Sequence, residues 1–366
     1  MAIAASGAVS FSDLRTEFVG GSASISYSDL YRGGSNIRAK AANNNGVNLA
    51  ASVPTSGAIN IANFRSQAKG FKFTFTSGAT NQSAATLFGD DYAVNYPKEI
   101  VINNGVELGA TSSSEEALEI PSGGSGTITV TNNGILSGAG GAAGAAGGDA
   151  FETAVACTLV NNGTIRGGGG GGGTGGTGGG GSYTSNNSST QYDGNLYRWL
   201  TYADSGGTFN QQRASWNGSY VMGSQYTWAQ TTATSVTIGI YTYSRSGYQQ
   251  VQYTPQALQY WGINQSYQST TNTNGGSGGA GGVGAGYNQS AASGSSGASG
   301  GTNAGAGGTG GTGGDFGSAG STGAIGTNGN RTNGVAGSAG GATGNYIRGI
   351  SLVTLTQSGT VQGGTA

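Results

Sequence analysis

The chain has 366 residues, 77 of them glycine, and a formal net charge of −1 at pH 7. Glycine is about three times as frequent as in an average protein, while charged residues make up only 8% against a usual share of about 25%. Histidine is absent and cysteine occurs once, which excludes histidine-based catalysis, a disulfide scaffold and a cysteine-rich metal site. The near-neutral charge also excludes the basic footprint of a protein that binds nucleic acid or an anionic membrane.

Three related short units open the chain, at residues 9–15, 25–31 and 59–65. The first two contain a Ser-Asp pair, which can cap the free N–H groups at the start of a short helix. A unit of this size cannot bury its own apolar face, so we predict that residues 1–70 form a docking region that packs against itself or against a partner. The side chains predicted to make this docking surface are Phe11, Leu14, Tyr27, Leu30, Ile61 and Phe64. The alternative is a small subdomain of capped helices without a partner.

A second repeat begins in a β-rich connector predicted at residues 71–136 and continues beyond it. Asn-Asn-Gly occurs at 103–105, 132–134 and 161–163, so the copies start 29 residues apart. Asn and Gly tolerate positive φ, which makes each copy a tight-turn signal, and a fixed period indicates stacked units. A degenerate copy near the end of the chain predicts that a C-terminal strand in residues 346–366 returns to the β-rich region.

Glycine recurs with a period of three in residues 137–181 and 274–345. From position 305 to position 329, every third residue is glycine, which makes nine glycines at this spacing. A polyproline II-type helix has three residues per turn and no internal hydrogen bonds, so glycine at every third position lets neighbouring main chains bond to each other. We therefore predict a sandwich of polyglycine II helices, the alternative being a disordered linker. The predicted helices are 138–148, 167–181, 274–286, 304–314, 317–326 and 334–344, with loops at 149–158, 182–273, 287–303, 315–316 and 327–333.

The insert at residues 182–273 has a different composition from the tracts around it. It holds all four tryptophans and twelve of the eighteen tyrosines. Aromatic side chains mixed with Ser, Asn and Gly are typical of binding loops, and Trp, Tyr and Arg dominate interface hot spots. The residues predicted to make this binding surface are Tyr192, Tyr197, Trp199, Tyr202, Trp216, Tyr220, Tyr226, Trp228, Tyr248 and Trp261. The alternative is that these rings form a small core of their own.

Candidate catalytic groups are few. The carboxylates of Asp90 and Asp91, and those of Glu115 and Glu116, would point to opposite faces of a strand, and we expect them to be solvated. Two aspartates of the insert, Asp193 and Asp204, would suit a glycosidase only by their location. Cys157 lies in an apolar stretch and is predicted to be a small buried hydrophobe. The sequence thus predicts a mostly irregular and β protein with no metal, no cofactor and no enzymatic activity.

Two stretches carry a family resemblance. The opening units, SGAVSFSDLRTEF, SASISYSDLYRGG and SGAINIANFR, resemble a motif common near the N-termini of tailed-bacteriophage virion proteins. The glycine runs with aromatic loops are similar to the adhesins at the tips of T-even-like long tail fibres. That resemblance implies a polyglycine II sandwich whose distal loops bind outer-membrane proteins or lipopolysaccharide. The single long insert and the N-terminal region differ from those adhesins, so the docking partner stays open between fibre, tail tip and baseplate.

These features together predict a bacteriophage tail adhesin that docks through its N-terminus and binds a host outer-membrane protein or surface polysaccharide. It would be a homotrimer or a single-copy cap, with no nucleic-acid partner. The start of the chain lacks a secretory signal and no segment is apolar for 18 residues, so we expect assembly in the host cytoplasm and action in the virion at the host surface. The alternatives are a purely structural tail or virion protein, an ice-binding protein and a depolymerase.

Overall fold

A computed structural model describes residues 3–20, 24–34, 36–191, 197–203, 211–223, 229–231, 233–253 and 257–366. The fold is mostly β and irregular, which confirms the predicted class. The chain divides into two compact units: Met1–Gly180 together with Asn274–Ala366, and Gly181–Thr273.

The described residues form two short α-helices and twenty-four strands, together with a few 3-10 and π-helical turns. The helices are α1 (Phe11–Leu14) and α2 (Ala84–Phe88). The first strands are β1 (Val47–Asn48), β2 (Phe71–Phe75), β3 (Ala79–Thr80), β4 (Gln82–Ser83), β5 (Lys98–Ile102), β6 (Glu107–Gly109), β7 (Leu118–Ile120), β8 (Ile128–Asn132), β9 (Ile135–Ser137), β10 (Phe151–Thr153), β11 (Cys157–Asn161) and β12 (Thr164–Arg166). The insert contains β13 (Gly181–Gln191), β14 (Arg198–Tyr202), β15 (Gln211–Trp216), β16 (Ser219–Met222), β17 (Ala229–Gln230), β18 (Ser235–Ile238), β19 (Tyr241–Tyr253) and β20 (Ala257–Thr273). The last strands are β21 (Asn345–Arg348), β22 (Val353–Gln357), β23 (Thr360–Gln362) and β24 (Gly364–Thr365).

The N-terminal repeats form three short helical turns. These are α1, which continues as a π-helical turn over Arg15–Val19, and 3-10 turns at Tyr27–Leu30 and Ile61–Phe64. Each turn starts with a capping box, in which a residue before the turn and the residue three positions later bond to each other's main chain. In the first unit Asp13 takes part as predicted, but its partner is Ser10 before the turn.

The fourth residue of each turn points into one shared core. Leu14, Leu30 and Phe64 are fully buried, and they pack with Phe18, whose ring centroid is 5.7 Å from that of Phe64. The prediction that these three side chains form a docking surface is therefore wrong, because a side chain that packs against its own repeats has no area left for a partner.

The 29-residue repeat builds a three-sided parallel solenoid. One sheet contains β2-β5-β8-β11-β22, the second β3-β6-β9-β12-β23 and the third β4-β7-β10-β21-β24. Each turn of the chain adds one strand to every sheet, which confirms that the repeated units stack. Ile100, Val130 and Leu159 occupy equivalent positions in successive turns and are fully buried, as a continuous solenoid core requires.

The Asn-Asn-Gly copies stack at one corner of the solenoid. Asn132 Nδ2 donates to Asn161 Oδ1 at 2.8 Å, and Asn161 Nδ2 donates to Gln357 Oε1 at 3.2 Å. Both asparagines are fully buried, and the ladder satisfies amide groups that would otherwise be costly to bury. The degenerate last copy keeps an amide at this position, and β22 pairs in parallel with β11.

The glycine-rich tracts leave the solenoid between β9 and β10 and again between β12 and β21, and they bond through their main chains. Gly172, Gly175 and Gly178 donate to carbonyls of Gly282, Gly279 and Gly276, so both partners advance by three residues per bond. Three residues per turn is the period of a polyproline II-type helix. Successive N–H groups of residues 167–180 reach three different neighbours, as three consecutive bonds illustrate: Gly171 to Ala145, Gly172 to Gly282, and Gly173 to Ser321.

Three boundaries differ from the sequence prediction. Residues 138–148 form two legs rather than one helix, because Gly144 has a φ of 73° and Ala145 N–H bonds back to Ala142. The predicted loop 287–303 contains one more tract, whose N–H groups at positions 292, 295 and 298 bond to residues 283, 280 and 277. The predicted loop 149–158 contains β10 and the first residues of β11.

The insert is a separate antiparallel sheet of strand order β16-β15-β14-β20-β19-β18, with β13 also on β20 and β17 on β15. Its two ends are paired, because Gly181 lies opposite Thr273 and the register continues to Gln191 opposite Ile263. β18 and β19 form a hairpin in which Ile238 lies opposite Tyr241. Gly239, the first residue of its two-residue turn, has a φ of 60°, which suits glycine.

Candidate functional site

The centre of the insert is an aromatic core. Trp199 is fully buried, lies opposite Trp261 in the sheet, and donates its indole N–H to Gln212 Oε1 at 2.7 Å. A buried tryptophan with a satisfied N–H stabilises the sheet. The prediction that Trp199 contacts a receptor is therefore wrong: its ring is enclosed by the insert itself.

Partly exposed rings extend from this core along the same face of the sheet. Tyr197 and Trp216 meet edge-on with centroids 5.0 Å apart, and Trp216 lies 5.8 Å from Tyr243, which is itself buried in the core. Tyr241 continues the row to Tyr267 at 5.1 Å. The predicted site residues Tyr197, Tyr202, Trp216, Tyr220 and Trp261 are all partly buried, so each packs with one part and offers another part to solvent.

One cation belongs to this aromatic face. The guanidinium of Arg245 lies 4.8 Å from the ring centroid of Trp261, and burial lowers the pKa of Arg245. Trp261 Nε1 donates to Thr201 Oγ1 at 3.3 Å. Cation–π contact and hydrogen bond together hold the Trp261 ring in place.

Four of the predicted receptor-binding residues have no described side chain. Tyr192, Tyr226 and Trp228 lie outside the described residues, as do Asp193 and Asp204. Tyr248 belongs to β19, where its main chain pairs with Trp261, but its side chain is also outside the described part.

The opposite face of the sheet contains a groove that the composition did not indicate. It has a volume of about 500 Å³ and is lined by Asn186, Ile240, Thr242, Ser266, Tyr267 and Gln268. Ile238 and Ile240, at the tip of the β18–β19 hairpin, are 48% and 66% exposed. The available signal was the run of amide and hydroxyl residues along β13 and the second half of β20, where aromatic residues are sparse.

The N-terminal unit, which is the region of the three opening repeats in residues 1–70, keeps some exposed apolar surface. Phe11 is exposed and Ile61 is partly buried, while the side chain of Tyr27 is outside the described part. A cavity of about 310 Å³ beside α1 is lined by Ile3, Ala4, Ala8, Val9, Asp13, Thr16 and Glu17. Hydrogen bonds from the main chain and side chain of Ser10 lower the pKa of Asp13.

In each of the two carboxylate pairs, one side chain is exposed to solvent and the other is not. Asp90 and Glu115 are exposed as expected, but Asp91 is fully buried and accepts hydrogen bonds from Arg38, Asn44 and the main chain of Ala41 at 2.6–2.9 Å. Burial raises the pKa of Asp91, and these bonds outweigh it, so the net shift is downward.

Glu116 is the second departure from the expected solvation. Burial and the neighbouring carboxyl of Glu152 raise the pKa of Glu116 to about 7, although Arg348 lies 3.6 Å away and opposes the shift. Asp91 and Glu116 are thus structural groups, each balanced by a guanidinium.

Cys157 is buried, as predicted. Within the described ranges, no group of three or more Asp, Glu or Cys residues is placed to hold a metal ion. Among the described helices, none is long and apolar enough to cross a membrane.

Comparison with known proteins gave one finding. The family model described as phage tail fibre adhesin Gp38 matches residues 59–250, which include the third N-terminal repeat, the first four turns of the solenoid as far as β12, the all-glycine tract and most of the insert. Searches of curated proteins and of solved structures found no match.

Proposed function

The chain belongs to the Gp38 family of phage tail fibre adhesins, and from this premise we propose that its insert, residues 181–273, is the part that binds the host receptor. The observation that supports this assignment is the aromatic row from Tyr197 to Tyr267, in which every ring except that of Tyr243 is partly exposed. The insert core encloses Trp199, yet leaves more aromatic surface accessible than its own packing needs. Rings held by their neighbours bring large contact area at little entropic cost.

The glycine-rich tracts serve as a rigid polyglycine II scaffold in this proposal. Their support is the three-residue period of the main-chain bonds and the number of neighbours that each tract contacts. A scaffold bonded through its main chain leaves the outward side chains free to vary, which suits a protein under pressure to change receptors.

Attachment to other tail proteins is assigned to the N-terminal unit, with Phe11 and the cavity beside α1 as its exposed apolar surface. The protein acts as a binding protein in the virion after assembly in the host cytoplasm. Fibre, tail tip and baseplate remain the candidate sites of attachment, as a trimer or as a single copy.

An adsorption experiment tests the receptor assignment. Because Gly181 and Thr273 are paired, residues 182–272 can be replaced by a short Gly-Ser linker without parting the tracts on either side. We expect particles with this variant to assemble with a normal amount of adhesin and to lose adsorption to host cells. The purified full chain should compete with the phage for cells, and the variant should not.

Normal adsorption by the variant particles would show that the receptor contact lies outside the insert, and it would favour a purely structural role for the insert. Release of reducing ends from host polysaccharide by the full chain would instead favour a depolymerase. A variant of the chain without residues 3–70 tests the attachment role of the N-terminal unit. If that role is correct, the variant folds but is missing from the assembled particles.

A further inference from the structure

We propose that the groove on the outer face of the insert sheet binds a neutral oligosaccharide of the host envelope. This inference rests on the proposed receptor role of the insert and names the ligand class of one site within it. The site lies where β13, β20 and the β18–β19 hairpin run side by side, away from the face that carries the aromatic row.

The strand register brings the polar side chains of the groove together. Asn186 lies opposite Gln268, and Thr242 lies opposite Ser266. Residues two apart share a face of a strand, so these four side chains form one patch across three strands. The neighbouring odd-numbered residues, Asn187 among them, belong to the other face.

The hydrogen-bonding groups of the patch are partly occupied and partly available. Gln268 Nε2 donates to Asn186 Oδ1 at 3.0 Å, which fixes both amides next to each other. The remaining amide atoms, Asn186 Nδ2 and Gln268 Oε1, bond to no other group in the described part of the insert. A donor and an acceptor at one place are what a pair of sugar hydroxyls requires.

The absence of charge in the groove restricts the ligand. No acidic or basic side chain lines it, and the nearby Arg245 is engaged with Trp261 on the aromatic face. Sialylated, phosphorylated or sulfated sugars would need a cation to pair with their anionic groups. A protein loop would need several apolar or aromatic pockets for its anchors, whereas the lining has one aliphatic residue, Ile240, and one aromatic residue, Tyr267, whose ring packs edge-on against Tyr241 in the aromatic row.

The hairpin tip completes the site. Ile240 presents an exposed apolar surface beside the amides, and the C–H face of a sugar ring is the part of a carbohydrate that packs on such a surface. The hairpin is held by Gly239 in its turn and by a 3.0 Å bond between the hydroxyls of Thr237 and Thr242. The volume of about 500 Å³ lies in the range of small-molecule sites.

The test uses oligosaccharides released by mild acid from the envelope of the strain on which the phage grows. They are separated by anion exchange into a neutral and an anionic fraction, and binding to the purified full chain is measured by calorimetry. We expect binding to the neutral fraction only, weakened at least tenfold by Asn186→Ala combined with Gln268→Ala. The matched control is Asn187→Ala, which removes an amide and its 2.7 Å bond to Ser269 from the other face and should leave binding unchanged.

Each result decides the question. Absence of binding to the neutral fraction, or equal loss in the control variant, overturns the glycan site. If the full chain still competes with phage for cells in that case, the proposed function stands and its ligand is a protein. If the full chain binds the neutral fraction but does not compete for cells, the site is real and the receptor role of the insert fails.

Discussion

The glycine-rich tracts and the insert are held together by opposite means. In the tracts, neighbours bond main chain to main chain every third residue, and side chains take no part in the interior. In the insert, the centre consists of side chains, with Trp199 enclosed by other large residues. The tracts are therefore specified by where Cβ atoms are absent, and the insert by where large rings are present.

The comparison also explains the number of glycines in each tract. Residues 167–173 are all glycine because every face of that tract touches a neighbour. In the tract from 275 to 284 every third residue is not glycine, and those residues, Ser277, Ala280 and Val283, are exposed. In residues 317–326 glycine occupies one position in three, and the other two positions of each triplet are exposed. The glycine content of a triplet thus reports how many of its faces are covered.

The largest expected effect comes from adding one methyl group to the central tract. A Cβ on Gly171 would overlap the carbonyl of Ala142, and both partners are main chain that cannot rotate away. We expect Gly171→Ala to destabilise the glycine-bearing unit, Met1–Gly180 with Asn274–Ala366, by about 5 kcal/mol, at the upper end of single substitutions. Thr177→Ala in the same tract, at an exposed position, should change stability by less than about 0.5 kcal/mol. Calorimetric unfolding measures both, and equal stability of the two variants would contradict the packing argument.

Removing the central ring of the insert is the next test. Trp199→Ala leaves a cavity and an orphaned Gln212 amide, and we expect a loss of about 3–4 kcal/mol. The loss should be confined to the insert, because the two units have separate cores. Limited proteolysis would then cut within residues 181–273 while the glycine-bearing unit stays intact. The control, Tyr183→Ala, replaces an exposed ring of the same unit and should resist cleavage like the wild type.

The smallest effect concerns pH and the solenoid from which the tracts emerge. The pKa of Glu116 is raised to about 7, above its ordinary value of 4.5. Between these two pH values the folded state keeps the proton on this carboxyl, whereas the unfolded state has lost it. The stability contributed by this protonated carboxyl is present below pH 4.5 and is lost as the pH rises through 7. Glu116→Gln should remove that slope and stabilise the unit by about 1 kcal/mol at pH 8, a value reduced for the contact with Arg348 and solvent.

Chemical denaturation between pH 5 and 8 measures this slope. The exposed neighbour provides the control, since Glu115→Gln should leave the pH dependence unchanged. A slope of the same size in Glu116→Gln as in the wild type would show that another group is responsible.

Periodic features were readable from the residues because each repeat of structure needs the same residue again. The 29-residue spacing of Asn-Asn-Gly predicted stacked turns, since an amide in one turn bonds to the amide in the next. The period of three predicted main-chain bonding between tracts, and the aromatic content separated the insert from its surroundings.

Other features depended on contacts between distant residues and had no local signal. Trp199 and Trp216 both belong to the aromatic-rich insert, yet one is enclosed and the other is partly exposed, because strand order decides which ring is covered. Asp91 is buried since Arg38, some fifty residues earlier, reaches it. The reversal at Gly144 and the extra tract at 292–298 follow from which neighbours are available. Local residue patterns thus account for the repeating parts of this adhesin, whereas its individual buried groups and its groove arose only from the way the strands and tracts come together.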